Sequence, residues 1–181
     1  MSRKLILYIA MSLDGYIATE DGDIGFLSSV ESPGEDYGYA SFIETVDTII
    51  WGRKTYDKVL SFGIEFPYKT KRCIVLSRTQ SGRDENVEFY NGDIATLIQD
   101  LHSQNGANIY CDGGAEIVAE LLKHSLFDTL IISIIPHLLG SGIRLFKDGR
   151  PQQQLQLKQA QVFPSGLVQV HYTCNTSQLH Q

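Results

Sequence analysis

Two uninterrupted apolar runs constrain the fold of this chain most: Leu5-Ile6-Leu7-Tyr8-Ile9-Ala10-Met11 and Thr129-Leu130-Ile131-Ile132-Ser133-Ile134-Ile135. A strand with one wet face alternates apolar and polar residues. Continuous runs therefore mark strands covered on both faces, as in a sheet flanked by helices. The segments between the runs fit that arrangement. Residues 39–45 read as a short helix, 46–51 as a strand, 54–60 as a helix and 72–76 as a strand. A polar turn and a short strand at 87–90 follow. Ile94, Leu97, Ile98 and Leu101 have helical spacing behind Asp93, a candidate N-cap. A strand at 108–111 then leads into a helix at 115–124. Gly15, Gly22, Asp23, Gly25, Ser32, Pro33 and Gly34 mark a long irregular loop region, uncommon in a compact domain unless it serves a function, and 136–149 reads as a further loop.

The tail changes character. Residues 155–162 and 167–172 alternate around Pro164-Ser165-Gly166, the pattern of an antiparallel hairpin. Strands alternating with helices predict a three-layer α/β/α fold, with a mostly parallel central sheet closed by a C-terminal antiparallel hairpin. At 181 residues the chain is expected to form a single domain, 1–181.

Composition narrows the partners. The net charge of −6 argues against a nucleic-acid partner, which wants a basic face, but leaves room for an anionic small molecule. Met1-Ser2-Arg3-Lys4 has a basic flavour, yet the apolar run behind it is short and leads directly to Asp14. No stretch approaches the ~20 apolar residues of a membrane span. Cys73, Cys111 and Cys174 are far apart and strand-placed, so reduced buried thiols in a cytoplasmic protein are expected. His102, His124, His137, His171 and His180 show no ligand spacing, and no metal site is expected.

Three strand ends carry anion-binding chemistry. Gly52-Arg53-Lys54-Thr55-Tyr56 follows the strand ending at Trp51, Ser77-Arg78 follows the one ending at Leu76, and Asp112-Gly113-Gly114 opens a helix. Glycine lets backbone approach a ligand, and helix N–H groups and the dipole favour negative charge. Taken singly, Gly113-Gly114 is also compatible with a tight turn, and Arg53-Lys54-Thr55 with a solvated helix start. An Arg beyond a strand end offers a planar fork to phosphate. With no acid at Ser77-Arg78 to grip a ribose hydroxyl, NADP(H) is expected over NAD(H).

Leu13-Asp14-Gly15-Tyr16-Ile17-Ala18, Gly52 to Tyr56, Leu76-Ser77-Arg78, Asp112-Gly113-Gly114 and Pro136 with Gly140 occur in the order of the dihydrofolate-reductase-like superfamily. The chain resembles, more narrowly, the C-terminal reductase domain of the riboflavin-biosynthesis deaminase/reductase and its stand-alone relatives. The resemblance implies an NADPH-dependent reductase, similar to 5-amino-6-(5-phosphoribosylamino)uracil reductase and homodimeric. It places Ala10 and Ile17 at the nicotinamide, Gly52, Arg53, Lys54 and Thr55 at the adenosine-side phosphates, and Ser77 and Arg78 at the 2′-phosphate. Gly113, Gly114, Ala115 and Glu116 would meet the pyrophosphate. It also marks Asp36 and Asp112 as carboxylates for proton transfer, with helix capping the competing role for each.

Departures separate the branches. The loop after the first strand lacks the Pro-Trp of folate enzymes, and Lys71 stands where they carry a tail-binding Arg, which argues against folate reduction. Residues 35–42, Glu-Asp-Tyr-Gly-Tyr-Ala-Ser-Phe, are acidic and aromatic where the riboflavin branch offers Arg to a phosphate. The expected function is an NADPH-dependent reductase of a small heterocyclic or carbonyl substrate. A dihydrofolate reductase and a non-catalytic NADP-binding protein of the same fold are the alternatives.

Overall fold

A computed structural model of the protein describes residues 3–174. Of the residues weighed in the sequence, Met1, Ser2 and His180 lie outside that range. Strand β1 (Leu5–Ser12) sits at the centre of the sheet between β8 (Thr129–Ile135) and β7 (Asn108–Gly113), parallel to both. Beyond β7 come β3 (Val46–Gly52), β4 (Arg72–Leu76) and β6 (Glu88–Tyr90), all parallel, then the two-residue β5 (Gly82–Arg83), antiparallel to β6. On the other side β11 (Val168–Cys174) pairs antiparallel with β8, and β10 (Leu155–Val162) closes that edge. The fold is the expected mostly parallel sheet with an antiparallel C-terminal hairpin.

The unbroken apolar runs fold as they do because both faces of β1 and β8 are covered. Leu5 and Leu7 are fully buried beneath α3 (Ile94–Ser103) and α4 (Ala115–Lys123), which contribute Leu97, Ile98, Val118 and Leu121. Ile6 and Ile131 face the other layer, where Phe42 of α1 (Tyr39–Glu44) and Tyr56 of α2 (Arg53–Ser61) pack with Ile49, Trp51 and Val75. Asp93 caps α3 as its position predicts, accepting the Thr96 N–H at 2.8 Å. Cys73, Cys111 and Cys174 are free and buried.

The loop expectations need correction. Within the loop region marked by Gly15 to Gly34 the structure forms β2 (Tyr16–Ala18) and a 3-10 helix at Gly25–Val30, and within 136–149 it forms β9 (Ile143–Arg144). β2 and β9 pair as a separate antiparallel ribbon. Strands of two or three residues are too short to show alternation, and their pairing depends on a partner distant in sequence. Glycine is required at the crossing, because a Cβ on Gly142 (φ +144°) would come within 2.2 Å of the Ala18 carbonyl oxygen. β8 spans Thr129–Ile135 as its apolar run predicts, and β5 forms where a polar turn was expected. Among the described residues no helix is long and apolar enough to cross a membrane.

Candidate cofactor and substrate site

The carboxyl ends of β3, β4 and β7 lie side by side, and α2 and α4 start from two of them. Gly52 caps α2 and Gly114 caps α4, neither with a side-chain hydrogen bond. Helix starts leave their first N–H groups without intrahelical partners, which makes each a place for an anion. The two starts are tied together. The Gly114 N–H donates to Thr55 Oγ1 at 2.9 Å. A Cβ on Gly114 would meet that same oxygen at 2.9 Å, and one on Gly52 would meet Ile117 Cγ1 at 2.9 Å. Gly113, at φ +110°, completes a turn that side-chain-bearing residues seldom adopt.

Cations surround this junction. Arg53 Nε donates to Asp57 Oδ1 at 2.7 Å, and its guanidinium lies 5.4 Å from the Phe89 ring centroid. Lys54 and Arg78 are exposed. Ser77 Oγ accepts the Gln80 N–H at 3.1 Å, folding the turn that carries Arg78. Glu116, in the first turn of α4, pairs with Lys147, and that contact followed by the fields of Lys54 and Arg78 holds its carboxyl below the usual range. Lys147 was not found from the sequence. It lies in the loop after β9, and no local pattern connects it to a helix start 31 positions away.

A second feature lies on the α1 side of β1. A cavity of about 340 Å³ is lined by Tyr8 and Ala10 of β1, Ser133 and Ile135 of β8, Leu27 and Val30 of the 3-10 helix, and Leu167, with Glu31, Ser32, Glu35, Asp36 and Tyr37 along its edge. Ala10 is thus at the cavity, whereas Ile17 packs with the core cluster on the opposite face of the sheet. Tyr37 is held at φ 57°, uncommon for a bulky residue. Its carbonyl accepts from the Tyr8 hydroxyl at 2.8 Å and from Gln169 Nε2 at 3.1 Å, its N–H donates to Glu35 Oε1 at 2.8 Å, and its hydroxyl meets the Val30 carbonyl and, at 2.9 Å, Ser165 Oγ. Strain of this kind persists where surrounding contacts over-determine it, and it clusters at ligand clamps.

The two candidate carboxylates have different surroundings. Asp36 lines the cavity, but its oxygens accept the N–H groups of Ala40 at 2.8 Å and Gly38 at 2.9 Å. Those bonds hold its carboxyl below the usual range, so it is an ionised group that orders the turn into α1. Asp112 is half-buried and outside the cavity lining. Desolvation pushes its carboxyl up to about 6, against the Tyr110 hydroxyl at 2.6 Å and a longer contact from Tyr68 at 3.5 Å. Trp51 Nε1 also opposes that rise, although it has no partner at hydrogen-bond geometry. One acid therefore has the position and the other the raised pKa.

Other singled-out residues have structural partners. Asp14 accepts the N–H groups of Leu139 at 3.1 Å and Gly140 at 2.7 Å, joining the β1 and β8 loops, with its carboxyl lowered to about 2, first by Ser12. Lys71 donates to the carbonyls of Ile43 and Val46 at 2.8 and 2.6 Å, bracing the turn into β3. His137 packs near Phe26, and Tyr16 and Phe26 are buried.

Residues 3–169 match the family model of the RibD C-terminal domain. The chain belongs to that family. It is 44% identical over 173 residues to the uncharacterised protein YwjB of Bacillus subtilis (strain 168), covering 95% of this chain and 98% of that one. A Shewanella sp. PV-4 structure, named provisionally as a riboflavin biosynthesis protein, superposes with a TM-score of 0.87 at 33% identity, over 95% of this chain and 99% of that one. Two more distant structures share the fold. One is the Thermotoga maritima diaminohydroxyphosphoribosylaminopyrimidine deaminase/5-amino-6-(5-phosphoribosylamino)uracil reductase, with TM-score 0.72 and 17% identity over 96% of this chain and 57% of that one. The other is Enterococcus faecalis dihydrofolate reductase with NADP(H), with TM-score 0.63 and 15% identity over 97% and 99%. The fold is that of dihydrofolate reductase.

Proposed function

We propose that the protein is an NADPH-dependent reductase of a small heterocyclic or carbonyl substrate. The observation that carries this reading is the junction at Thr55 and Gly114, which sets two glycine-capped helix starts side by side among Arg53, Lys54 and Arg78. Such a junction suits a pyrophosphate flanked by a further phosphate. The first turns of α2 and α4 would hold the pyrophosphate, with Lys54 and Lys147 as counter-charges. Ser77 and Arg78 would hold the 2′-phosphate. When bound, NADPH supplies the hydride, while the chain positions the reactants and limits water. Ala10 and the cavity provide the wall for the reacting rings. Asp36, ionised with a lone pair left on each oxygen, orients a substrate N–H.

Titration of NADPH fluorescence tests the reading. Removing a charged hydrogen-bonding partner costs about 1.5–3 kcal/mol, so Arg78→Ala should weaken NADPH binding by about 10–100-fold and leave NADH binding within about twofold. Equal NADPH affinity in both proteins would sink the cofactor assignment.

A second reading, a non-catalytic NADP-binding protein, is favoured by one observation: Asp112, the acid with the raised pKa, lies outside the cavity. Cofactor binding without oxidation across pterins, pyrimidines and quinones would select it. A homodimer is also proposed, formed through β10, an edge strand whose Leu157 and Val162 are 53% and 75% exposed.

A further inference from the structure

We infer that the cavity beside β1 and β8 takes an uncharged or cationic ring compound and rejects one that carries a phosphate. This deepens the reductase reading, on which it rests for the cavity's role as the substrate site. At about 340 Å³ the cavity is at the small end of ligand pockets, which run to ~1,000 Å³. Glu31, Glu35 and Asp36 stand along its edge, and no Lys or Arg is among its lining residues. The polarity is the reverse of that at the helix starts, where Arg53, Lys54, Arg78 and Lys147 gather. A molecule with phosphates is attracted to one region and repelled from the other.

The interior supports the same discrimination. Ser133 and Gln169 are each 4% exposed. Gln169 Nε2 lies 3.1 Å from the Tyr8 hydroxyl, the Tyr37 carbonyl and Ser133 Oγ, and its Oε1 faces His171 Nε2 at 2.8 Å. Burial lowers the His171 pKa, so the imidazole adds no fixed positive charge. Ser133 and Tyr8 on the cavity wall are thus backed by the neutral groups Gln169 and His171. Ser133 Oγ accepts from Gln169, which leaves its own proton for a ring acceptor. The Tyr8 pKa is raised by burial, and further by Asp36 and Glu35, so the field of those acids reaches the base of the cavity. Like charges at ~4 Å cost about fivefold in affinity per unit pair even in bulk water. A phosphate dianion near these carboxylates meets several such pairs.

Calorimetric titration with uridine, uridine 5′-monophosphate and 4-aminopyridine, which is protonated at pH 7.5, tests the inference. Uridine and 4-aminopyridine should bind, and the monophosphate should bind at least tenfold more weakly than uridine in 50 mM salt. The gap should shrink in 0.5 M salt, because these edge charges are exposed and screened. In the Glu31→Gln/Glu35→Gln double variant the gap should narrow severalfold and 4-aminopyridine should bind less tightly. Gln at 35 keeps an oxygen for the Tyr37 N–H, so the turn is retained. Equal binding of uridine and its monophosphate to the wild type overturns the inference. So does an unchanged gap in the double variant, or no binding of either unphosphorylated probe. NADPH titrated into the same samples separates the two questions: binding of NADPH with no charge selection sinks this inference alone, and charge selection without NADPH binding sinks the reductase reading.

Discussion

Asp112 is the residue whose environment most changes its chemistry. In the unfolded chain its carboxyl ionises near ~3.9, whereas in the fold desolvation raises that to about 6. Between those values the unfolded state loses a proton that the folded state keeps, so stability falls as pH rises through this window. The roughly 2-unit shift is worth at most ~3 kcal/mol, less for a half-buried group. Asp112→Asn, which keeps an acceptor for Tyr110, should flatten the dependence between pH 4 and 6.5 and add about 1–2 kcal/mol at pH 8, read by urea unfolding across pH. A slope identical to wild type would show that Asp112 titrates like an ordinary carboxyl. The sequence placed this acid at a strand end. It could not show Tyr68 and Tyr110 around it, because one is 44 positions away and the other needs the strand's pleat to turn inward.

Among the elements, the α2 and α4 starts are joined by one hydrogen bond between residues 59 positions apart. Thr55→Val removes the acceptor and leaves the Gly114 N–H unsatisfied, at a cost of about 1–3 kcal/mol. We expect a lower urea midpoint together with weaker NADPH binding, and recovery of both in Thr55→Ser. Full stability in the valine variant would mean that the junction forms without this bond. Thr55 was read as a phosphate ligand from its place in Gly52-Arg53-Lys54-Thr55-Tyr56. The fold shows its oxygen engaged in holding the two helix starts together, a role that exists only once β3 and β7 are neighbours.

For the whole molecule, the sheet ends asymmetrically. β5 is a two-residue edge, whereas β10 is an eight-residue edge strand, exposed along nearly its whole length. An edge of that length presents unpaired backbone groups and invites pairing with another chain. Sedimentation equilibrium should give twice the 20.2 kDa chain mass, and Leu157→Lys/Val162→Lys should shift the protein toward the monomer. A wild-type monomer at all concentrations rules out the dimer, and an unaffected dimer in the variant locates the interface elsewhere.

The sequence alone determined the layered architecture, because burial on both faces is written into the unbroken apolar runs of β1 and β8. It also marked the strand ends proposed to hold the cofactor phosphates, since glycines and cations at a strand-to-helix turn are neighbours along the chain. Only the tertiary structure decided the cavity, the left-handed Tyr37, the β2–β9 ribbon and the place of Lys147. Each of these joins distant segments: Gln169 reaches Tyr8 across 161 positions and Asp14 reaches Gly140 across 126. Periodicity and turn chemistry are local signals, whereas a pocket wall is made by whichever residues the sheet order brings together.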